Sequence, residues 1–157
     1  MQLLKMIPDY SLRIKMQRVL LLVTALVYLM GPSPLWADDS DILIPVGIFI
    51  VYYGTPDMDK VAEVVTEDFR NGKSESEWAT AIGRLLRGIR YERLESDIRQ
   101  VVSDEDMAYV HVRATVDTAA GFAEHDELYR LEREGSKWKI DSLEVVNENI
   151  EDRMERL

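Results

Sequence analysis

Cysteine is absent from the sequence, and its absence excludes several kinds of chemistry. A chain without cysteine forms no disulfide bond and offers no thiol nucleophile, thiolate metal ligand or cysteine for lipid attachment. Histidine occurs only twice, and the sequence has no HExxH, glycine-rich phosphate loop or GxSxG pattern. We therefore expect no cofactor and no metal site, and a fold that depends on its hydrophobic core alone.

The first 37 residues differ in character from the rest of the chain. A basic lead precedes the apolar run "VLLLVTALVYLM", and "GPSPLWA" then ends on a small residue. This order is typical of a secretory signal peptide, for which we predict cleavage between Ala37 and Asp38. The alternative is a membrane anchor, but the run of 12 apolar residues is shorter than the roughly 20 that a spanning helix needs. Met16 opens a more compact signal sequence and is an alternative start.

Cleavage would leave one acidic domain of modest size. The leader contains 4 of the 19 basic and 1 of the 29 acidic residues, so 15 and 28 remain, a net charge of −13. Such a surface repels nucleic acid and anionic lipid, so we expect neither nucleic acid nor, after cleavage, a membrane as a partner. We predict a signal peptide at 1–37, a domain at 38–147, a charged and frayed tail at 148–157, and export to the periplasm or the medium.

The first half of the domain has two clear helix signals. In "TPDMDKVAEVV", Thr55 is a candidate N-cap and Pro56 suits the first helical position. In "SESEWATAIGRLLRG", Ser74 and Glu77 have the spacing of a capping box, and Gly88 suits the C-terminus. The predicted apolar faces consist of Val61, Val64 and Val65 in the first helix, and of Trp78, Ile82, Leu85, Leu86 and Ile89 in the second.

The segment "ILIPVGIFIVYYG" is ambiguous between strand and helix. Its β-branched and aromatic residues favour a strand. Pro45, however, would fit the first turn of a helix that ends before Gly54. Local propensity alone leaves both alternatives open.

The second half of the domain has the pattern of an antiparallel sheet. Apolar residues alternate with polar ones from Ala108 to Val116, as in a strand with one buried face. Turn signals at 103–106, 119–121 and 135–136 separate four such runs. Helices followed by strands indicate an α+β fold in which the N-terminal helices pack in a curved, four-stranded antiparallel meander.

The two-residue turn Gly135-Ser136 sets the register of the last hairpin by pairing Glu134 with Lys137. The predicted pairs are Leu131 with Ile140 and Tyr129 with Ser142 in that hairpin, and Ala108 with Leu131, Val110 with Tyr129, Val112 with Glu127 and Ala114 with His125 in the preceding one. Both hairpins place Leu131 on the apolar face. His125, Glu127 and Tyr129 therefore point the same way as the valines.

The order of these motifs resembles the nuclear transport factor 2-like superfamily. The resemblance rests on "VYYGTPDMDKVAEVVTEDFRNG", "ESEWATAIGRLL", "MAYVHVRATV" and "LEREGSKWKIDSLEV", and it covers about Asp41 to Val146. It implies the cystatin-like cone fold of ketosteroid isomerase and polyketide cyclase relatives, a conical pocket, and a helix rather than a strand at 45–53. No motif carries a relative's catalytic residues onto this chain.

The candidate pocket residues are Tyr53, His125, Glu127 and Tyr129. If they line the cone, burial would raise the pKa of Glu127 and suit it to act as a general base, while Tyr129 could donate to an oxyanion. The alternative is that His125 and Glu127 are solvated near the open end of the sheet and Tyr129 is core. The alternation places His111 on the opposite, outer face.

Three hypotheses for the function follow. The leading one is an exported, non-catalytic domain that binds a small apolar or amphipathic ligand or a protein partner. A homodimer would form through Tyr109, His111 and Arg113 on the outer sheet face. The second is an isomerase- or cyclase-like enzyme that uses His125, Glu127 or Tyr129. The third is a structural module of the cell envelope with a filled cavity.

Overall fold

Three helices are followed by four strands in the computed structural model, which describes residues 39–146 and 154–155. The helices are α1 (Asp39–Tyr52), α2 (Met58–Glu63) and α3 (Glu75–Gly88), and the strands are β1 (Glu92–Ser103), β2 (Met107–Thr118), β3 (Gly121–Glu134) and β4 (Lys137–Val146). The strands form one antiparallel sheet in the order β1-β2-β3-β4, which confirms the predicted α+β meander. The predicted signal peptide and most of the predicted tail lie outside the described residues.

The register of the sheet matches the sequence prediction with one exception. All four predicted pairs between β2 and β3 are present, as are Glu134 with Lys137 and Leu131 with Ile140. Tyr129 pairs with Leu143 and not with Ser142, because a bulge between Arg130 and Leu131 inserts one residue into β4. The extra residue, Asp141, accepts a hydrogen bond from the Thr66 hydroxyl at 3.1 Å.

The ambiguous segment is helical, and its proline lies inside the helix. α1 begins at Asp39, so Pro45 occupies the helix interior and the expectation that it starts the helix is wrong. Packing decides this outcome against local propensity, because Ile42, Val46 and Phe49 are fully buried on the face that contacts the core. Within the described residues, no helix is long and apolar enough to cross a membrane.

The ends of α2 and α3 differ in how well the sequence predicts them. α2 begins after Asp57, because the Thr55 side chain donates back to the Tyr52 carbonyl at 2.8 Å and accepts the Asp57 N–H at 3.2 Å, forming a turn in place of a cap. The capping box of Ser74 and Glu77 at the start of α3 is present.

The apolar face predicted for α3 is only partly buried. Trp78 and Leu86 pack in the core, but Leu85 is 60% exposed and Ile89 is 42% exposed. Gly88 is the last residue of α3, and the left-handed conformation that follows the helix falls on Arg90. Two of the five predicted apolar positions therefore face solvent, since the buried side of α3 consists of Trp78, Ala79, Gly83 and Leu86, and Ile89 lies just past its end.

The outer face of the sheet is less open than expected. His111 lies on that face as predicted but is only 6% exposed, so it offers little surface for the predicted homodimer. Its Nε2 lies 2.7 Å from Asp126 Oδ1, and Arg113 donates to the other oxygen at 3.1 Å. Met154 of the predicted frayed tail is 2% exposed and packs in one cluster with Leu128. Met154 is therefore docked on the outer face.

Candidate functional site

The predicted pocket residues converge on the carboxylate of Glu127. The Arg93 guanidinium donates through one nitrogen to both carboxylate oxygens, at 2.8 and 3.1 Å. The Tyr129 hydroxyl donates to Oε2 at 2.7 Å, and the Nε2 atom of His125 lies 3.0 Å from Oε1. The Glu127 side chain is 4% exposed. Glu127 is therefore buried rather than solvated, and both of its oxygens are engaged.

Arg93 is the residue of this cluster that the sequence did not reveal. It lies on β1 opposite Val116, its side chain is 6% exposed, and it also donates to the Ser96 hydroxyl at 3.0 Å. Plain alternation back from Ser103 places Arg93 on the inner face, but it places other charged β1 residues there too. Two irregularities in the β1–β2 register turn those residues outward. No simple pattern could therefore single out Arg93.

The ionisation of Glu127 is opposite to the expectation for a general base. Burial raises the pKa of Glu127, but the hydrogen bonds and charge of Arg93, with further bonds from Tyr129 and His125, lower it more. The net pKa lies below its ordinary value, so the carboxylate is ionised at neutral pH. The predicted rise in the Glu127 pKa is wrong because Arg93, which no sequence pattern singles out, compensates the buried charge.

Aromatic side chains pack against one another next to this ion pair. Phe49 stacks on Tyr53 with ring centroids 4.5 Å apart and meets Tyr129 edge-on at 5.4 Å. Phe69 bridges from Phe49, at 6.1 Å, to Trp78, at 5.8 Å. Ring-to-ring contacts at these spacings are those of a packed core. Tyr129 is fully buried, and its hydroxyl is directed at Glu127 rather than at an open space.

Tyr53 and His125 occupy the less buried edge of the cluster. Tyr53 is half-buried and meets Tyr91 edge-on at 5.6 Å. Burial raises the pKa of Tyr53 to about 12, with a smaller contribution from Tyr91. The His125 side chain is 18% exposed, more than any other group that contacts Glu127. The structure thus brings all four predicted residues together, and whether they bind a ligand stays a prediction.

Two surface cavities are lined by residues outside this cluster. One, of about 400 Å³, lies between α1, the end of α2 and the β3–β4 turn. The other, of about 440 Å³, lies between α2 and α3. Among the described residues, no three acidic or histidine side chains come close enough together to hold a metal ion.

Comparison with known proteins identifies the fold. No family model and no curated protein matches the sequence. Among solved structures, a variant of Rv3472 from Mycobacterium tuberculosis, a protein of unknown function, matches with a TM-score of 0.56 and 22% identity over 76% of this chain and 77% of that one. A domain of unknown function with a cystatin-like fold from Nostoc punctiforme matches with a TM-score of 0.56 and 16% identity over 78% and 88%.

A third solved structure connects the fold to a named family. A candidate dehydratase of the nuclear transport factor 2-like family from Streptomyces avermitilis matches with a TM-score of 0.50 and 10% identity over 69% of this chain and 94% of that one. The predicted resemblance is therefore confirmed at the level of fold: the chain has a cystatin-like, nuclear transport factor 2-like fold. Identities this low carry no information about function.

Proposed function

We propose that this chain is a non-catalytic association domain that binds a protein partner through its outer surfaces. The observation that supports this most strongly is that both carboxylate oxygens of Glu127 are already engaged by neighbouring side chains. Arg93, Tyr129 and His125 all bond to its two oxygens, so neither oxygen is directed at a space where a substrate could sit. A general base needs an accessible acceptor and a pKa near the working pH, and Glu127 has neither.

The packing of the cone favours a protein partner over a small molecule inside it. Phe69 contacts both Phe49 and Trp78 in the core that the helices and the sheet enclose. A binding cleft for a small molecule usually has a volume of roughly 300 to 1,000 Å³. The two cavities of this size described above lie on the surface and are not lined by the Glu127 cluster.

One observation favours an enzyme as a second candidate. His125 is partly exposed, and its Nε2 contacts the buried carboxylate of Glu127. A carboxylate behind a histidine can fix the tautomer of the ring and stabilise its charged form, as in general-base catalysis. In that case His125 would take the proton and Glu127 would position it. Turnover that is lost in a folded His125→Asn variant would support this candidate over the association domain.

Export and self-association belong to the proposal as well. If the first 37 residues are a signal peptide, the mature protein isolated from its host should begin at Asp38, and N-terminal sequencing tests this. A homodimer through the outer face would rely on exposed residues such as Arg113, since His111 is buried. Sedimentation of the chain and of Arg113→Glu tests it: a dimer that the substitution weakens supports this interface, and a dimer that it leaves unchanged contradicts it.

Native mass spectrometry of the protein purified from its own host tests the central part of the proposal. We expect the chain in complex with a protein, either itself or another, and without a retained small molecule. Retention of a small molecule that survives gel filtration would contradict the proposal and favour a ligand-binding domain.

A further inference from the structure

The cavity at the β3–β4 turn has the features of a binding groove. It lies between the first half of α1, the end of α2 and the first residues of β4, and its volume is about 400 Å³. Ile44 and Val64 contribute apolar walls, and Asp41 and Glu63 contribute carboxylates beside them. Trp138, Lys137 and Lys139 form the strand side. Ile44 is 57% exposed, so its side chain is available to a segment that lies in the groove.

The strand side of this groove is an open sheet edge. β4 is an outermost strand, and along its free edge Ile140 donates to the Val64 carbonyl and accepts from the Thr66 N–H, each at 2.9 Å. Backbone groups on an antiparallel strand point to alternate sides, so the N–H and C=O of Trp138 point to the same free edge as those of Ile140. The bridge at Val65 and Ile140 is isolated, so no described segment pairs with Trp138.

Trp138, which lines the groove, has a buried hydrogen-bond donor without a partner. The indole Nε1 of Trp138 is buried and has no hydrogen-bond partner among the described residues, and Trp138 is only 5% exposed. An unsatisfied buried donor is rare in folded proteins, because it has lost water without gaining an acceptor. Across the groove, Pro45 lies inside α1 and has no N–H. It therefore cannot form the helical hydrogen bond to the Asp41 carbonyl that another residue would form at this position.

The charges beside the edge indicate what kind of segment would pair with it. Lys137 and Lys139 flank Trp138 in sequence, so their side chains point to the opposite face of the sheet from the indole. In a strand that is added alongside β4, the residues on that face would lie next to these two lysines. Lys139 already pairs with Glu134 at 3.1 Å, so an acidic residue there would gain most from Lys137. The residue between the two acidic positions would point toward Ile44 and Val64.

From these observations we propose that the groove binds an extended peptide of a partner protein by strand addition to β4 at Trp138. The peptide has an apolar residue flanked by acidic residues. Its backbone pairs with the N–H and C=O of Trp138, and its apolar side chain contacts Ile44 and Val64. Strand addition of this kind combines main-chain affinity with side-chain selectivity. The proposal rests on the association function and names the chemistry of one partner.

A capped synthetic peptide, acetyl-Thr-Asp-Val-Asp-Thr-amide, is the probe. We expect it to shift the Trp138 indole and backbone signals of the full chain saturably in proton–nitrogen NMR spectra, with the indole signal assigned by its loss in Trp138→Phe. N-methylation of the peptide valine removes one strand hydrogen bond and should weaken binding by roughly 3- to 10-fold. A peptide with lysines in place of the aspartates should bind more weakly.

Two substitutions on the exposed side of α1 provide a matched pair. Ile44→Asp places a charge in the groove and should weaken binding about tenfold or more, since it removes an apolar contact and repels the acidic peptide. Val51→Asp is the control, because Val51 is 61% exposed on the same helix and does not line the groove. We expect Val51→Asp to bind the peptide as the unchanged chain does.

Several outcomes would overturn the groove proposal. They are a Trp138 signal that does not move, equal binding of the lysine peptide, and equal weakening by Ile44→Asp and Val51→Asp. A Trp138 signal that moves with protein concentration alone would indicate a second copy of the chain, and one that moves on removal of residues 1–37 would indicate the chain's own leader. A natural partner that binds Ile44→Asp normally would overturn the groove and leave the association function standing.

Discussion

Replacement of Glu127 by glutamine separates a structural carboxylate from a catalytic one. Glutamine has almost the shape of glutamate, so the packing around residue 127 stays the same while the charge is lost. The Arg93 side chain, 6% exposed, would then remain in the interior with its charge uncompensated. One of the two positions that now accept hydrogen bonds would also become an N–H donor.

The structure allows the size of this effect to be worked out. Removal of one partner from a buried ion pair destabilises a protein by about 3–5 kcal/mol, because the other charge stays buried. For a domain of this size, each kcal/mol lowers the melting temperature by roughly 4 °C, so we expect a fall of about 10–20 °C. Typical domains have about 5–15 kcal/mol of stability, so the variant should still fold at room temperature.

Urea unfolding at neutral pH, followed by tryptophan fluorescence, measures the effect. The matched control is Glu124→Gln on the same strand, because Glu124 is 60% exposed and pairs with Arg113 at 3.4 Å. An exposed pair contributes about 0–1 kcal/mol, so the control should unfold almost as the unchanged chain does. The double variant with Arg93→Met should recover much of the loss, since it removes both charges.

An unchanged or higher stability of Glu127→Gln would refute this reasoning. Residues that serve chemistry are often held at a cost to stability, so their replacement commonly stabilises the fold. A stabilised Glu127→Gln variant would therefore indicate that the carboxylate is kept for a function and would revive the enzyme hypothesis.

Three further predictions concern other parts of the domain. The raised pKa of Tyr53, about 12 against an ordinary 10, keeps the phenol neutral in the folded state. The stability that the neutral phenol contributes is therefore full below pH 10 and is lost as the pH rises to about 12. Urea unfolding across that range should show a smaller loss of stability for Tyr53→Phe than for the unchanged chain. Ser74→Ala should destabilise α3 by about 1 kcal/mol through loss of the capping box, whereas the exposed Ser76→Ala should not, as urea midpoints would show. Met154→Ala should destabilise the domain by about 2 kcal/mol because Met154 packs against Leu128, and an unchanged urea midpoint would contradict that packing.

The inner face of β3 could be predicted from the sequence because turns and alternation determine it. The two-residue turn at Gly135 pairs Glu134 with Lys137, and each step along a strand reverses the face. The predicted register puts His125, Glu127 and Tyr129 on one face, where they converge. The register is wrong only where the bulge at Asp141 adds a residue, and nothing in the local sequence marks that bulge.

The chemistry of the site could not be predicted, because it depends on a residue from a distant strand. Arg93 is 34 positions from Glu127, and the β1 irregularities hide its orientation from any simple pattern. Without Arg93, burial alone predicts a raised pKa for Glu127, which is the wrong direction. The same limit explains His111, whose burial depends on Asp126 and on packing over the outer face that strand alternation cannot show.

The central claim, that Glu127 is an ionised structural carboxylate and not a general base, has one direct test. Carbon-13 NMR of the side-chain carboxyl of Glu127, titrated with acid and assigned with Glu127→Gln, reports its pKa in the folded protein. We expect a midpoint below the ordinary value of 4.5, with the contribution of the carboxylate to stability present above that pH and lost as the pH falls through the midpoint. A midpoint near 6 to 7, roughly where general bases titrate, would contradict the account.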